Sequence, residues 1–389
     1  MMRKNEIAPD VLYIGVDDKT IDLFESQYVV PNGISYNSYV ILDEKIAVMD
    51  TVDKRATDAW FDNLCIALDG RVPDYLIVSH MEPDHAANIQ KLVQMYPHVQ
   101  IVASARAITM IGQFFTEDLS PRCLTAKEGE TLTLGRHTLQ FFMAPMVHWP
   151  EVMVTYEHME KILFSADGFG KFGALDTEED WTCEARRYYF NIVGKYGAQV
   201  QALLKKAAAL DIRTICPLHG PILKENLGYY LDKYNTWSSY VPEDEGVLIA
   251  FASIHGNTAA AARQMAQVLQ TLGAKHVAVT DLARDDMAEA VEDAFRYSHM
   301  VVAASSYDAG VFPCMETFLR KLKAKNYQNR TVAIVENGTW APSAGKCMRA
   351  ILEEMKDVKI CEPVVTIRST AKEDTLKQME TLMQALLNS

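Results

Sequence analysis

His80-Met81-Glu82-Pro83-Asp84-His85 places four side chains able to hold a metal within six residues, directly after the apolar, strand-like run Tyr75 to Ser79. Side chains at the end of a strand converge on one point. Two imidazoles with two carboxylates form a mixed nitrogen and oxygen set suited to zinc or iron. A solvated loop that happens to carry charge is the plainer alternative, and partners elsewhere in the chain decide between the two.

Those partners have similar local settings. His148 follows the apolar run Leu139 to Val147, Asp167 follows Ile162 to Ala166, and His219 follows Thr214 to Leu218. Each is expected where a strand meets a loop, so all could face one rim of a sheet structure. A single histidine there is more often a hydrogen-bonded rim residue, and an Asp beside Gly168 often forms a turn. Their joint occurrence favours a site. Four histidines (His80, His85, His148, His219) and three carboxylates (Glu82, Asp84, Asp167) exceed what one tetrahedral ion needs, so two ions are implied. Asp167, arriving alone from another strand, is the natural bridge between them. Glu82 moves the set away from an imidazole-rich zinc pocket and toward harder ions.

Read together, these residues resemble a flavodiiron protein, also called an A-type flavoprotein, over essentially the whole chain. Further stretches carry the resemblance: Gly33-Ile34-Ser35-Tyr36-Asn37-Ser38-Tyr39, Val48-Met49-Asp50-Thr51-Val52, His148-Trp149-Pro150, Leu163-Phe164-Ser165-Ala166-Asp167 and Pro217-Leu218-His219-Gly220. The resemblance implies a metallo-β-lactamase-like αββα sandwich over residues 1–242. It places His80, Glu82 and His148 on one iron, Asp84, His85 and His219 on the other, and Asp167 between them. Hydrolases of this fold usually show H-x-H-x-D-H, with histidine where Glu82 stands here. Two departures touch positions around the ligands: Ala86-Ala87 stands where the family commonly has Ser-Gly, and Glu151-Val152 where it commonly has Asp-Ser. They bear on fine tuning and remove no ligand.

Length and composition agree with two soluble domains. A chain of 389 residues is long for one core and comfortable for two. No apolar run approaches the roughly 18 residues needed to cross a membrane, and Met1-Met2-Arg3-Lys4-Asn5-Glu6 leads into polar sequence, so a cytoplasmic enzyme is expected. A formal net charge of −13 argues against nucleic acid as a partner. The seven cysteines include no C-x-x-C pair, so neither a disulfide framework nor a rubredoxin-type iron site is encoded. Electrons are therefore expected from a separate donor, and the resemblance points to rubredoxin or a reduced deazaflavin.

The polar stretch Val241-Pro242-Glu243-Asp244-Glu245-Gly246 reads as the domain boundary. Before it, helices are expected over 57–68, 86–96 and 197–210, and a hairpin over 152–157 with 161–166. After it, strands over 247–252, 277–281, 300–305, 331–336 and around Val364 alternate with helices over 258–272, 316–324, 343–355 and 370–388. That alternation predicts a flavodoxin-like, doubly wound, five-stranded parallel sheet over 243–389.

The first βα turn, Ser253-Ile254-His255-Gly256-Asn257-Thr258, brings hydroxyls, a glycine and a helix start together, a setting built for phosphate, although such a cap could merely start the helix. Ser305-Ser306-Tyr307-Asp308-Ala309-Gly310 and Asn337-Gly338-Thr339-Trp340 follow the third and fourth strands at the same sheet edge. Flavodoxin-like domains gather FMN there. Trp340, unless it simply packs the surface, is placed to cover the flavin ring, and either Tyr307 or the backbone near Asp308 to line its polar edge.

The resemblance implies FMN and two iron ions as cofactors. It further implies reduction of O2 to water, of NO to N2O, or of both, and a head-to-tail homodimer, with a dimer of dimers also open. Trp149, Phe24 and Tyr36 are candidates for the pocket above the irons. A zinc hydrolase with an accessory flavodoxin domain is the alternative, set against Glu82 and a flavin that hydrolysis would leave idle.

Overall fold

Alternate residues of the apolar runs face opposite layers in the computed structural model, which describes residues 5–389. The opening at Met1-Met2-Arg3-Lys4 lies outside the described residues. Seven strands form the first sheet, in the order Glu6–Ala8, Val11–Tyr13, Tyr39–Ile41, Ala47–Met49, Tyr75–Val78, Gln100–Ser104, Cys123–Ala126. The last four run parallel and the others antiparallel. Five strands form the second sheet: Thr131–Thr133, Thr138–Met143, Met153–Glu157, Ile162–Phe164 and Thr214–Cys216.

Between the sheets, Ile41, Met49 and Ile77 meet Leu139, Phe141 and Phe164 in one core cluster. Val48 and Leu76 point to the other face of the first sheet and are equally buried. Runs covered on both faces are apolar throughout rather than alternating. Helix Thr57–Leu68 buries Trp60, Phe61, Leu64 and Leu68, a stripe at helical spacing, and ends at Asp69 in the left-handed conformation. This is the expected αββα sandwich.

One expected helix is divided. The stretch read as helical over 86–96 is a short turn, Pro83–Ala86, followed by Ile89–Met95. Asn88 sits between them, its side chain donating to Val52 O at 2.7 Å. A tertiary hydrogen bond thus outweighs helix propensity at that point.

In the second sheet system, Val277–Asp281, Asp244–Ala252, Tyr297–Tyr307, Arg330–Asn337 and Val358–Ile367 run parallel in that spatial order. The order is that of a flavodoxin-like sheet. A two-residue strand, Gly310–Val311, adds an antiparallel edge to the end of the third strand. Ile249, Val301 and Val335 pack under helices Asn257–Thr271 and Glu373–Leu387, through Met265, Leu269, Leu382 and Leu386. Helix Met287–Arg296 was not expected from sequence.

The contacts define two units. One comprises the chain up to Tyr189 together with Ala198–Asn235; the other comprises Phe190–Gly197 with Thr236–Ser389. Phe190–Gly197, which begins inside a π-helical turn, Tyr189–Val193, belongs to the flavodoxin-like unit. Phe190 stacks on Phe295 with ring centroids 4.3 Å apart, Asn191 donates to Ala288 O at 3.1 Å, and Tyr240 Oη donates to Gly194 O at 2.8 Å. No helix among the described residues is long and apolar enough to cross a membrane.

Candidate metal centre and flavin cavity

Strand ends deliver the seven donors to one rim of the sandwich. His80 follows strand Tyr75–Val78, and Asp84 and His85 ride the turn Pro83–Ala86, which has Pro at its first position. His148 follows Thr138–Met143, Asp167 follows Ile162–Phe164, and His219 follows Thr214–Cys216. Ala166 and Phe169, on either side of Asp167, have φ of 51° and 67°. Such backbone costs of order 1–3 kcal/mol per residue and persists where its surroundings over-determine it.

Two donor groups result, His80 with Glu82, His148 and Asp167, and Asp84 with His85 and His219. In the first, Nε2 of His148 lies 3.1 Å from both Glu82 Oε2 and Asp167 Oδ2, and Nε2 of His80 lies 3.2 and 3.3 Å from the same two oxygens. In the second, Asp84 Oδ2 stands 3.4 Å from His85 Nε2 and 3.2 Å from His219 Nε2. The two imidazole nitrogens face one another at 2.9 Å. Asp167 turns its second oxygen toward this group, 3.7 Å from His85 and 3.9 Å from His219.

These spacings fit metal ligation. Two ligands each about 2.1 Å from one ion stand about 3.0–3.4 Å apart in octahedral or tetrahedral geometry. Buried polar atoms with no hydrogen-bond partner among the described residues point the same way: both oxygens of Asp84, Oδ1 of Asp167 and Nε2 of His148. Unpaired buried polar atoms are costly, and their gathering at one point calls for a cation.

Electrostatics among the side chains agree. Burial raises Glu82 and Asp167, but His148 and His80 outweigh it and hold both carboxyls below the usual range. Burial alone lowers His148, yet Asp167 and Glu82 carry it up to about 9. His85 behaves oppositely, pushed down to about 4 chiefly by burial. An imidazole that resists protonation keeps its lone pair available.

Contacts behind the ligands were only partly legible in the sequence. His219 Nδ1 donates to Ser35 O at 2.7 Å, and Ser35 Oγ accepts from Gly220 N, which makes the Gly33 to Tyr39 stretch part of the site. Glu151, noted as a departure, lies 2.8 Å from His80 Nδ1 and accepts from Met81 N. Phe24, Tyr36 and Tyr188 stand around His219, with ring centroids 5.3–6.1 Å away, and Trp149 lies edge-on to His80 at 5.2 Å. Phe24, Tyr36 and Trp149 were expected; Tyr188 was not.

The flavodoxin-like unit holds a cavity of about 690 Å³ at the expected sheet edge, a size usual for small-molecule sites. Fourteen of the sixteen expected residues line it: Ser253, Ile254, His255, Asn257 and Thr258 from the first loop, Ser305, Ser306, Tyr307, Asp308 and Ala309 from the second, Asn337, Gly338, Thr339 and Trp340 from the third. Gly256 and Gly310 are not among the lining residues. They shape the loops instead: Gly256, at φ 95°, donates to Ser253 Oγ, and Gly310 O accepts from Ser343 Oγ. Pro342, Ser343 and Ser369 line the cavity without having been expected. Ser369 is pinned by two bonds to Asn337, at 2.9 and 3.0 Å, a pairing between residues 32 apart that no local pattern announces.

The cavity suits a flat anionic ring ligand. Trp340 is 91% exposed and Tyr307 45%, leaving aromatic surface uncovered at its mouth. Thr258 Oγ1 and Ser305 Oγ meet at 3.0 Å near the helix start that begins at Asn257.

A metallo-β-lactamase-type di-metal domain joined to a flavodoxin-type domain is the class that fold and site define. Residues 34–220 match the family model described as ODP family beta lactamase. The chain is 27% identical over 384 residues to an uncharacterized protein of Methanocaldococcus jannaschii, which covers 96% of this chain and 95% of that one. It is 26% identical over 347 residues to an anaerobic nitric oxide reductase flavorubredoxin of Vibrio vulnificus, which covers 86% of this chain and 70% of that one. Of the solved structures, a rubredoxin oxygen:oxidoreductase from Desulfovibrio gigas matches with a TM-score of 0.92 at 24% identity, over 98% of this chain and 97% of that one. The chain spans only 41–66% of the length of the diflavin flavoproteins from Nostoc, Synechocystis and Thermosynechococcus that it also matches. In its domains and its relatives, the chain is similar to the flavodiiron proteins and flavorubredoxins.

Proposed function

We propose that this chain is an FMN-dependent di-iron gas reductase. The reactions are O2 + 4e⁻ + 4H⁺ → 2H2O, 2NO + 2e⁻ + 2H⁺ → N2O + H2O, or both. The carrying observation is the double donor group joined by Asp167, with a flavin-sized cavity in the same chain. In this reading His80, Glu82 and His148 hold one iron, Asp84, His85 and His219 hold the other, and Asp167 bridges them. When bound, the irons would supply open positions for a diatomic gas and FMN would supply electrons received from an external donor.

The chain's own residues do the rest. Glu82 gives the first group a second carboxylate where an imidazole would favour zinc. Burial of His80, His85, Asp167 and His219 limits water around the donors, and Phe24 and Tyr188 form an apolar wall beside His219. Ser253, Thr258 and the helix start at Asn257 would hold the flavin phosphate, and Trp340 would cover its ring. The same reading carries a head-to-tail homodimer, a donor such as rubredoxin or a reduced deazaflavin, and a cytoplasmic location. The zinc hydrolase reading is not favoured, because Glu82 and the flavin cavity have no part in it.

Rapid anaerobic mixing of reduced, iron-loaded protein with NO, and separately with O2, tests the proposal. Flavin oxidation with sustained consumption of either gas supports it, and the faster gas identifies the physiological substrate. Flavin left reduced by both gases overturns it.

A further inference from the structure

The two donor groups are backed differently. Behind His80, the carboxylate of Glu151 stands 2.8 Å from Nδ1, accepts from Met81 N at 2.9 Å and is 2% exposed. Its backbone is held as well, since Ser104 Oγ donates to Glu151 O at 2.8 Å. Glu151 Oε2 has no hydrogen-bond partner among the described residues. A buried carboxylate left half unsatisfied is tolerable beside a net positive centre. Behind His219, by contrast, the acceptor is the neutral carbonyl of Ser35. The buried Nδ1 of His85 has no partner among the described residues.

Proton placement follows from these partners. A carboxylate accepting from Nδ1–H fixes the His80 tautomer with its lone pair on Nε2, toward the donor group, and makes the ring a stronger donor. A backbone carbonyl does this more weakly, and no partner among the described residues does it for His85. Donor count runs the same way: the His80 group holds two carboxylates near its imidazoles, Glu82 and the closer oxygen of Asp167, and the other group holds Asp84 with Asp167 farther off.

We propose that the two metal positions are unequal and that Glu151 is a positioning residue that makes them so: an ion among His80, Glu82, His148 and Asp167 binds first and more tightly than one among Asp84, His85 and His219. The inference rests on the di-iron reading of the same residues.

The test uses metal-stripped, FMN-loaded full-length protein titrated anaerobically with Co²⁺, followed by its visible spectrum, and then with Fe²⁺ against a competing chelator. Wild type is expected to fill in two steps with affinities about 10–100-fold apart. Glu151→Gln should weaken the first step by a comparable factor, shift the spectrum of the first Co²⁺ equivalent and leave the second step in place. Glu151→Asp, which keeps the charge, should recover part of the difference. FMN content and the thermal midpoint report whether each variant is folded. Should Glu151→Gln fail to fold, His85→Ala keeps the idea testable, because it should remove the second step and spare the first.

Equal filling in wild type, or a Glu151→Gln variant that weakens both steps alike or neither, overturns the inference. A protein that fills both positions equally yet consumes gas keeps the di-iron reading and loses only this one. A protein that fills in two steps yet consumes neither gas does the reverse.

Discussion

The metal pocket and the flavin cavity are built to opposite plans. Around the metals, every imidazole is buried, each donor comes off a strand end or a tight turn, and the donor atoms stand within 4.8 Å of one another inside each group. Around the flavin cavity three loops meet at one edge of a sheet, and the large aromatic side chains stand open to solvent. The first plan holds small ions by preorganised geometry. The second holds a large ligand by a backbone cradle whose side chains gain cover when it arrives. Each site should therefore fail without the other, and in its own way.

Removing Asp167, the proposed bridge, should produce the largest effect. Asp167→Ala is expected to lower gas consumption by at least about 100-fold, beyond the range seen when a supporting contact of a metal ligand is removed. FMN content and its reduction by dithionite should be unchanged. Joint loss of flavin and iron in this variant would break the contrast.

Metal identity comes next. Glu82→His restores the imidazole usual in zinc hydrolases of this fold, so the iron-to-zinc ratio of protein grown with both metals should fall by about tenfold or more by elemental analysis. An unchanged ratio would mean that the rest of the pocket, rather than Glu82, chooses the metal.

The flavin side should respond more gently. Trp340→Ala forfeits one aromatic face, worth about 0.5–1.5 kcal/mol, so FMN should bind about 2–13-fold more weakly in a fluorescence titration. Gly338→Ala works through the backbone instead. A Cβ there would come within 2.8 Å of Pro342 Cα, so about 1–3 kcal/mol of stability should be lost, read as a lower thermal midpoint with unchanged iron content.

Away from both sites, a further effect is expected on acid stability. Burial raises the carboxyl of Glu157, but bonds from His137 and from the backbone of Glu160 and Met159 outweigh it and hold it below its ordinary value. A carboxyl lowered by folding contributes stability that is present above its unfolded pKa of about 4.3 and lost as pH falls through the lower folded value. Glu157→Gln should therefore cost about 1–2 kcal/mol at neutral pH and progressively less below about pH 4, measured by denaturant unfolding at each pH.

The same contrast explains what the sequence made legible. The seven candidate metal donors stood out because His80, His148, Asp167 and His219 each follow an apolar run and Glu82, Asp84 and His85 crowd within five residues of the first. Five parallel strands were readable from β/α alternation, since strands buried on both faces leave continuous apolar stretches. Glu151 could be seen only as a departure, because its hydrogen bond to His80 joins residues 71 apart. Ser369 was missed for the same reason, since its partner Asn337 lies 32 residues away. The last strand, Val358–Ile367, was placed only around Val364, since Pro363 and a shift of register interrupt its pattern. Local periodicity reports which residues are covered; it does not report which loops meet.

Phe190–Gly197 carries a consequence for how such a protein can be rearranged. Because this short segment is inserted within the metal unit's sequence yet packs with the flavodoxin-like unit, the chain passes between units at three places: 189/190, 197/198 and 235/236. A recombination event that joined a new flavodoxin module at the polar stretch near 242 would leave behind Phe190 and the partner it gives Phe295. Successful exchange of modules needs coordinated cuts at all three crossings, so this pair of domains is expected to travel through evolution as one indivisible cassette rather than trading its halves.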